Sequence, residues 1–143
     1  MSYSARHPGL FKAAAAFTGV LNPVALDPMT SGFDIPLGVW GSRTEQSDIW
    51  EAHDPVFLAP SLEGTELYVS YGNGEPGPLD AGDAEFDELE ASLAEMNEAF
   101  VARLGELGIP VTVDAYGPGT HAMPYVERGL HEAMPMLLEA LGM

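Results

Sequence analysis

A base and an acid can be picked out of this chain by position. His121 ends the run Gly117-Pro118-Gly119-Thr120-His121, a glycine-rich turn just past the strand-like PVTVDAY. A histidine there has little helix or sheet to pack against, so it is aimed rather than buried. His7, His53 and His131 lack such a setting. A histidine acting as general base needs an acid that fixes its tautomer and stabilises the imidazolium that forms. Downstream of the strand-like TELYVSYG the candidates are Asp80, Asp83, Glu85, Asp87, Glu88 and Glu90. At about 100° per residue, Glu90 and Asn97 fall beside the apolar stripe of the helix that carries them, whereas Asp87, Glu88 and Glu95 point away from it. Glu90 is the favoured acid. The competing reading is a boundary carboxylate left in water.

The elements that must position these groups follow from periodicity and punctuation. Ser2 to His7 reads as the end of a helix stopped by Pro8 and Gly9. Between Phe11 and Val20 the run KAAAAFTGV has the length of a strand, although a buried helix shares its periodicity. Leu21 to Pro60 is an irregular excursion with Pro23, Pro28, Pro36, Pro55 and Pro60, broken by one short helix that Thr44 or Ser47 would cap. An excursion of this length suits the wall of a binding site.

TELYVSYG, residues 65–72, alternates as a strand does and ends at Asn73-Gly74. Phe86, Leu89, Leu93, Met96, Phe100, Leu104 and Leu107 recur at three and four and predict a helix over 84–107 closed by Gly108. PVTVDAY predicts a third strand. A last helix from about Pro124 carries Val126, Leu130, Leu137, Leu138 and Leu141 on its apolar side, with a kink at Pro135. Strands alternating with helices imply an α/β fold with a parallel sheet, whose ligands gather beyond the carboxyl ends of the strands. His121 and Glu90 both follow such ends.

Composition excludes several function classes. Twenty-two acidic against five basic residues give a formal charge of −17, which argues against nucleic acid or an anionic membrane face as a partner. No run approaches the roughly 20 apolar residues of a membrane span. The absence of cysteine excludes disulfides, thiolate nucleophiles and thiolate metal sites. The acidic run from Glu75 to Glu106 lacks the ligand order of an EF-hand, so no metal is expected there. It reads as a solvated helix face.

SARHPGLFKAAAAFTGVLNP, then Trp40-Gly41, Trp50 and His53-Asp54-Pro55, then LYVSYGNGEP, then GPGTHAMPYVERGL, follow one another as the landmarks of a known family do. The chain resembles the esterase D and antigen 85 mycolyltransferase family over nearly its whole length. That resemblance implies an α/β-hydrolase fold with a mainly parallel sheet and a serine nucleophile in a G-x-S-x-G elbow. It further implies hydrolysis of carboxylic esters or acyl transfer without a cofactor, on a small-molecule or lipid ester. His121 falls on the family's catalytic histidine, and Glu90, seven residues before Asn97, on its acid.

The sequence departs from the family in two respects. Ser2, Ser4, Ser31, Ser42, Ser47, Ser61, Ser70 and Ser92 all lack the flanking glycines of the elbow. The likeness begins just past where the elbow would stand, so residues 1–143 are expected to form the C-terminal part of a single hydrolase domain, with the nucleophile and oxyanion donors upstream. Such a chain alone is expected to be inactive, and the open edge of its first strand would pair with an N-terminal half or with a second copy. Ala122, Met123 and Val126 also stand where the family often has serine, tryptophan and an aromatic residue. Met123 and Trp40 are candidates for an apolar substrate wall, each with a place in the core as the other reading. The rival to an enzyme is a non-catalytic acidic interaction module built on half a hydrolase fold.

Overall fold

The computed structural model describes residues 1–26 and 37–143. Pro28, Ser31 and Pro36, named above, lie outside the described residues. Three strands, β1 (Ala13–Phe17), β2 (Glu66–Gly72) and β3 (Thr112–Gly117), form one parallel sheet in the order β1-β2-β3. Ala16 is in register with Val69, and Tyr68 with Thr112. The β2–β3 register slips at its end: Tyr71 faces Ala115 but Gly72 faces Gly117, so Tyr116 is the extra residue of a bulge. β2 is central and buried on both faces from Leu67 to Gly72, Ser70 included, so the alternation in its sequence does not mark a solvent-facing side.

Helix α1 (Ser2–Arg6) precedes the sheet. The excursion is more regular than its sequence suggests. Its described part holds the short helices α2 (Leu37–Trp40), α3 (Ser47–Glu51) and α4 (Pro55–Leu58), with 3-10 turns at Pro23–Ala25 and Ala59–Leu62. Pro23, Pro55 and Pro60 sit in the first positions of these turns, where a missing N–H costs nothing, so they start helical structure rather than break it. Neither Thr44 nor Ser47 caps α3. Its N-cap is Gln46, whose side chain turns back to accept from the Ser42 N–H.

Helix α5 (Glu88–Leu107) lies on one face of the sheet and α6 (Met123–Ala140) on the other. Leu93, Met96, Phe100 and Leu104 line the buried side of α5, and Phe100 and Leu104 meet Leu67, Val69 and Tyr71 of β2 in the main core. The helix starts at Glu88, four residues later than periodicity predicted, because the Asp87 side chain caps it and leaves Phe86 exposed. Gly108, with a left-handed φ of 69°, ends it as predicted.

Helix α6 continues through Pro135 as one element, but its buried side is not the predicted one. Tyr125, Gly129 and Ala133 face inward, while Leu130, Leu138 and Leu141 are exposed. Close approach to the sheet selects small residues over leucines. A Cβ on Gly129 would stand 2.8 Å from a Phe17 ring carbon and 2.9 Å from Ser70 Oγ. No helix among the described residues is long and apolar enough to cross a membrane.

Replacing Gly129 by valine should force α6 off the sheet and cost about 1–3 kcal/mol by overpacking. Urea unfolding checks this; unchanged stability would mean that the contact with Phe17 and Ser70 is not tight.

Candidate active site

The carboxyl ends of β2 and β3 are tied together before any side chain takes part. Asn73 N–H donates to the Gly117 carbonyl at 2.9 Å and Gly74 N–H to the Gly119 carbonyl at 3.1 Å. Asp87 N–H donates to the Gly74 carbonyl at 2.8 Å, which brings the start of α5 to the same place. Gly74 has a φ of 83°, and a Cβ there would lie 2.4 Å from the Asp87 carbonyl oxygen. The Asn73-Gly74 turn is thus required by the approach of α5 to the loop after β3.

Within this frame the two residues singled out from the sequence meet. His121 Nδ1 lies 2.9 Å from Glu90 Oε2. The other carboxylate oxygen, Oε1, accepts from Gly72 N–H at 2.7 Å and from the Tyr116 hydroxyl at 3.4 Å. Glu90 is 0% exposed, so its carboxylate depends on these donors in place of water. The His121 side chain is 38% exposed, which leaves one ring edge open to solvent while Nδ1 is engaged. Burial, with the Glu90 carboxylate beside it, pushes the Tyr116 phenol well above its usual range.

Two further carboxylates hold the loop rather than the ring. Asp87 Oδ1 caps α5 by accepting from Glu90 N–H at 3.1 Å, and its Oδ2 accepts from His121 N–H at 2.8 Å. One residue therefore fixes both members of the pair. Periodicity assigned Asp87 to the solvent side because it treated the residue as helical; at an N-cap the side chain turns back along the chain instead. An aspartate three residues before Glu90, ahead of an apolar run, was the available signal.

Asp80 accepts from Gly77 N–H at 2.8 Å, Thr120 N–H at 3.3 Å, the Thr120 hydroxyl, and the Tyr125 hydroxyl at 3.1 Å. Desolvation pushes its carboxyl up, but the Thr120, Gly77 and Tyr125 hydrogen bonds outweigh this and hold it below the ordinary carboxylate range. Asp83, Glu85 and Glu88 are exposed, as solvated surface acids. Among the described residues, no three His, Asp or Glu side chains converge as metal ligands would.

The "Putative esterase" family model matches residues 1–136. This chain belongs to that family. It is 29% identical over 153 aligned positions to the diacylglycerol acyltransferase/mycolyltransferase Ag85B of Mycolicibacterium smegmatis, covering 97% of this chain and 46% of the relative. A solved ferulic acid esterase matches with a TM-score of 0.62 and 16% identity, over 97% of this chain and 45% of that one. The fold is therefore of the α/β-hydrolase type, and the chain spans about half the length of the relatives it matches.

The other residues raised from the sequence of this esterase-family chain lie around the pair in different ways. Met123 is the first residue of α6, two past His121, and is 72% exposed. Trp40 belongs to an aromatic group in the excursion: it stacks on His53 at 4.9 Å and meets Trp50 edge-on at 5.0 Å. His7 lies against Tyr3, and His131 is exposed on α6. The 0% exposed Asn97 donates to the Gly19 and Leu93 carbonyls, fastening the segment after β1 to α5.

A carboxyl held below its ordinary 3.8 in the folded chain stabilises the fold fully above that value and loses its contribution as the pH falls through the lower, folded one. Thermal melts from pH 6 to 2 should therefore fall more steeply below about pH 4 in the native chain than in Asp80→Asn. Equal slopes would remove Asp80 from the groups that secure the loop.

Proposed function

We propose that this chain supplies the general base, His121, and its orienting acid, Glu90, to a serine-dependent carboxylesterase or acyltransferase. In this reading residues 1–143 are the C-terminal part of a single α/β-hydrolase domain. The 2.9 Å contact between His121 Nδ1 and the buried Glu90 carboxylate carries the reading. With Nδ1 committed to Glu90, the proton must enter and leave through Nε2.

A serine Oγ attacks the acyl carbonyl carbon as Nε2 takes the hydroxyl proton. Collapse of the tetrahedral intermediate breaks the ester bond, and the departing alkoxide takes that proton from Nε2 to leave as the alcohol. Water or a second alcohol then attacks the acyl-serine, again giving its proton to Nε2. Collapse returns the proton to the serine oxygen and releases the acid or the new ester. Glu90 keeps the imidazole in one tautomer and balances the imidazolium charge.

No serine of this sequence has the flanking glycines of an elbow, so the nucleophile and the oxyanion donors are assigned to sequence ahead of Met1. Two observations support that assignment. The matched relatives are about twice as long. Among the described strands β1 pairs with β2 alone, leaving its outer edge for a further strand. Family membership supports an ester substrate, a small molecule or a lipid. Met123, exposed beside His121, is assigned to the wall that receives the acyl group, and Trp40 is the second candidate for it from the excursion.

Hydrolysis of a short-chain p-nitrophenyl ester tests this reading, with the chain alone and joined to the polypeptide encoded immediately upstream. The joined protein should turn over ester, the chain alone should not, and His121→Ala or Glu90→Gln should each lower kcat by about 10³- to 10⁴-fold. Turnover by the chain alone through His121 would show that the nucleophile lies within it. Inactivity of both would favour a non-catalytic acidic interaction module.

A further inference from the structure

We propose that Tyr116 is a positioning residue for the acid–base pair, holding Glu90 so that one carboxylate oxygen faces His121. The inference rests on the roles given above to His121 and Glu90. Its starting point is the slip in register at the end of the sheet. Ala115 pairs with Tyr71 and Gly117 with Gly72, which leaves Tyr116 with no partner on β2. A bulge re-aims the side chain it frees. This one aims the phenol at Glu90 Oε1, 3.4 Å away, the oxygen that Gly72 N–H also holds.

The contact is long for an O–H···O hydrogen bond. That length suits a group that steadies an oxygen already bound, and does not compete with His121 for the other one. The ring is fixed independently of the hydroxyl. It stacks on Tyr125 with centroids 5.0 Å apart and planes 4° from parallel, with the Arg128 guanidinium 5.2 Å from its centroid. Its edge also fills the space that side chains at two neighbouring positions would need. A Cβ on Gly72 would lie 2.8 Å from Tyr116 Cε2, and one on Gly119 would lie 2.6 Å from it. The ring thus sits between the end of β2, which donates to Glu90, and the loop that carries His121. The raised phenol keeps its proton through the pH range of ester hydrolysis, so it remains a donor throughout.

A donor on the second carboxylate oxygen draws charge away from the one that faces the imidazole. Removing it makes Glu90 a stronger partner for the imidazolium and raises the pH at which His121 loses its proton. Glu90 from α5 meets the His121 ring, and Asp87 at the N-cap of α5 holds the His121 amide; Tyr125 and Arg128 from α6 lie against the Tyr116 ring, and Asp80 from the loop before α5 accepts from the Tyr125 hydroxyl. Only the Tyr116 hydroxyl is altered in Tyr116→Phe, which keeps the stacked ring.

Nuclear magnetic resonance titration of the His121 ring in this chain is the test, with circular dichroism to verify folding. Tyr116→Phe should raise the His121 midpoint by about 0.3–0.5 pH. Tyr3→Phe, a change of an exposed residue on α1, should leave it in place. An unchanged or lowered midpoint in folded Tyr116→Phe overturns the proposal. In the protein joined to its upstream polypeptide, the same variant should lower kcat about 3- to 10-fold with KM held and move the acid limb of the pH profile upward. A shifted midpoint with no ester turnover in either protein would overturn the hydrolase reading and leave the Tyr116–Glu90–His121 coupling standing.

Discussion

Glu90 brings a carboxylate to a place from which water is excluded, and the surrounding structure is arranged to replace that water. An unpartnered buried carboxylate would be among the most costly groups a small domain could carry. Here one oxygen takes the Gly72 N–H and the Tyr116 hydroxyl, and the other takes His121. The partners come from β2, from β3 and from the loop after β3, so satisfying one side chain of α5 fixes the relative placement of three other segments. The helix cannot slide by a turn without stranding the carboxylate. This makes the helix register a property of the site as much as of the apolar stripe that ends in Phe100 and Leu104.

That arrangement requires backbones to come closer than side chains ordinarily permit. Gly72, Gly74 and Gly119 are the places where a Cβ would run into the Glu90 frame: the Tyr116 ring in two cases and the Asp87 carbonyl in the third. The glycines of YGNG and of the GPGTH loop are thus matched to each other across the gap between two strand ends. The Asn73–Gly117 and Gly74–Gly119 bonds are the visible result. The His121 loop is held on its other side by Asp80, through both the amide and the hydroxyl of Thr120. A histidine in a glycine-rich loop would otherwise sample many orientations. Here its amide, its ring and the residue before it each have an acceptor.

Much of this could be read from the sequence because the signals were local. β2 and α5 have strong periodicities, and Glu90 was legible because it borders the α5 stripe at a strand's carboxyl end. What escaped depended on contacts between distant segments. Asp87 looked solvent-facing until the true start of α5 made it a cap. Tyr116 looked like an ordinary strand residue, because a bulge is a relation between two strands and neither sequence declares it. The apolar side of α6 was misjudged for a similar reason. Leucines mark the hydrophobic direction of an isolated helix, but the distance between helix and sheet at Phe17 and Ser70 decides which side can fit. The prolines of the excursion were read as breakers, although a proline at the first position of a helical turn is compatible with that turn.

The large negative charge takes on a different meaning once individual carboxylates are distinguished. Asp83, Glu85, Glu88 and Glu95 are exposed and serve as solvated charge. Asp80, Asp87 and Glu90, from the same stretch, each accept at least one backbone N–H, and all three act on the His121 loop or its ring. What separates the two groups is backbone geometry, since amides are left free of sheet and helix pairing where a strand ends, a helix begins or a glycine turn opens. Carboxylates whose side chains reach such amides become structural, and the solvated ones on either side of Glu90 do not. An acid assigned by charge density would have been placed anywhere in the run. Proximity to unpaired amides at the carboxyl ends of parallel strands sets Glu90, Asp87 and Asp80 apart from the rest of the run, and of the three only Glu90 meets the His121 ring.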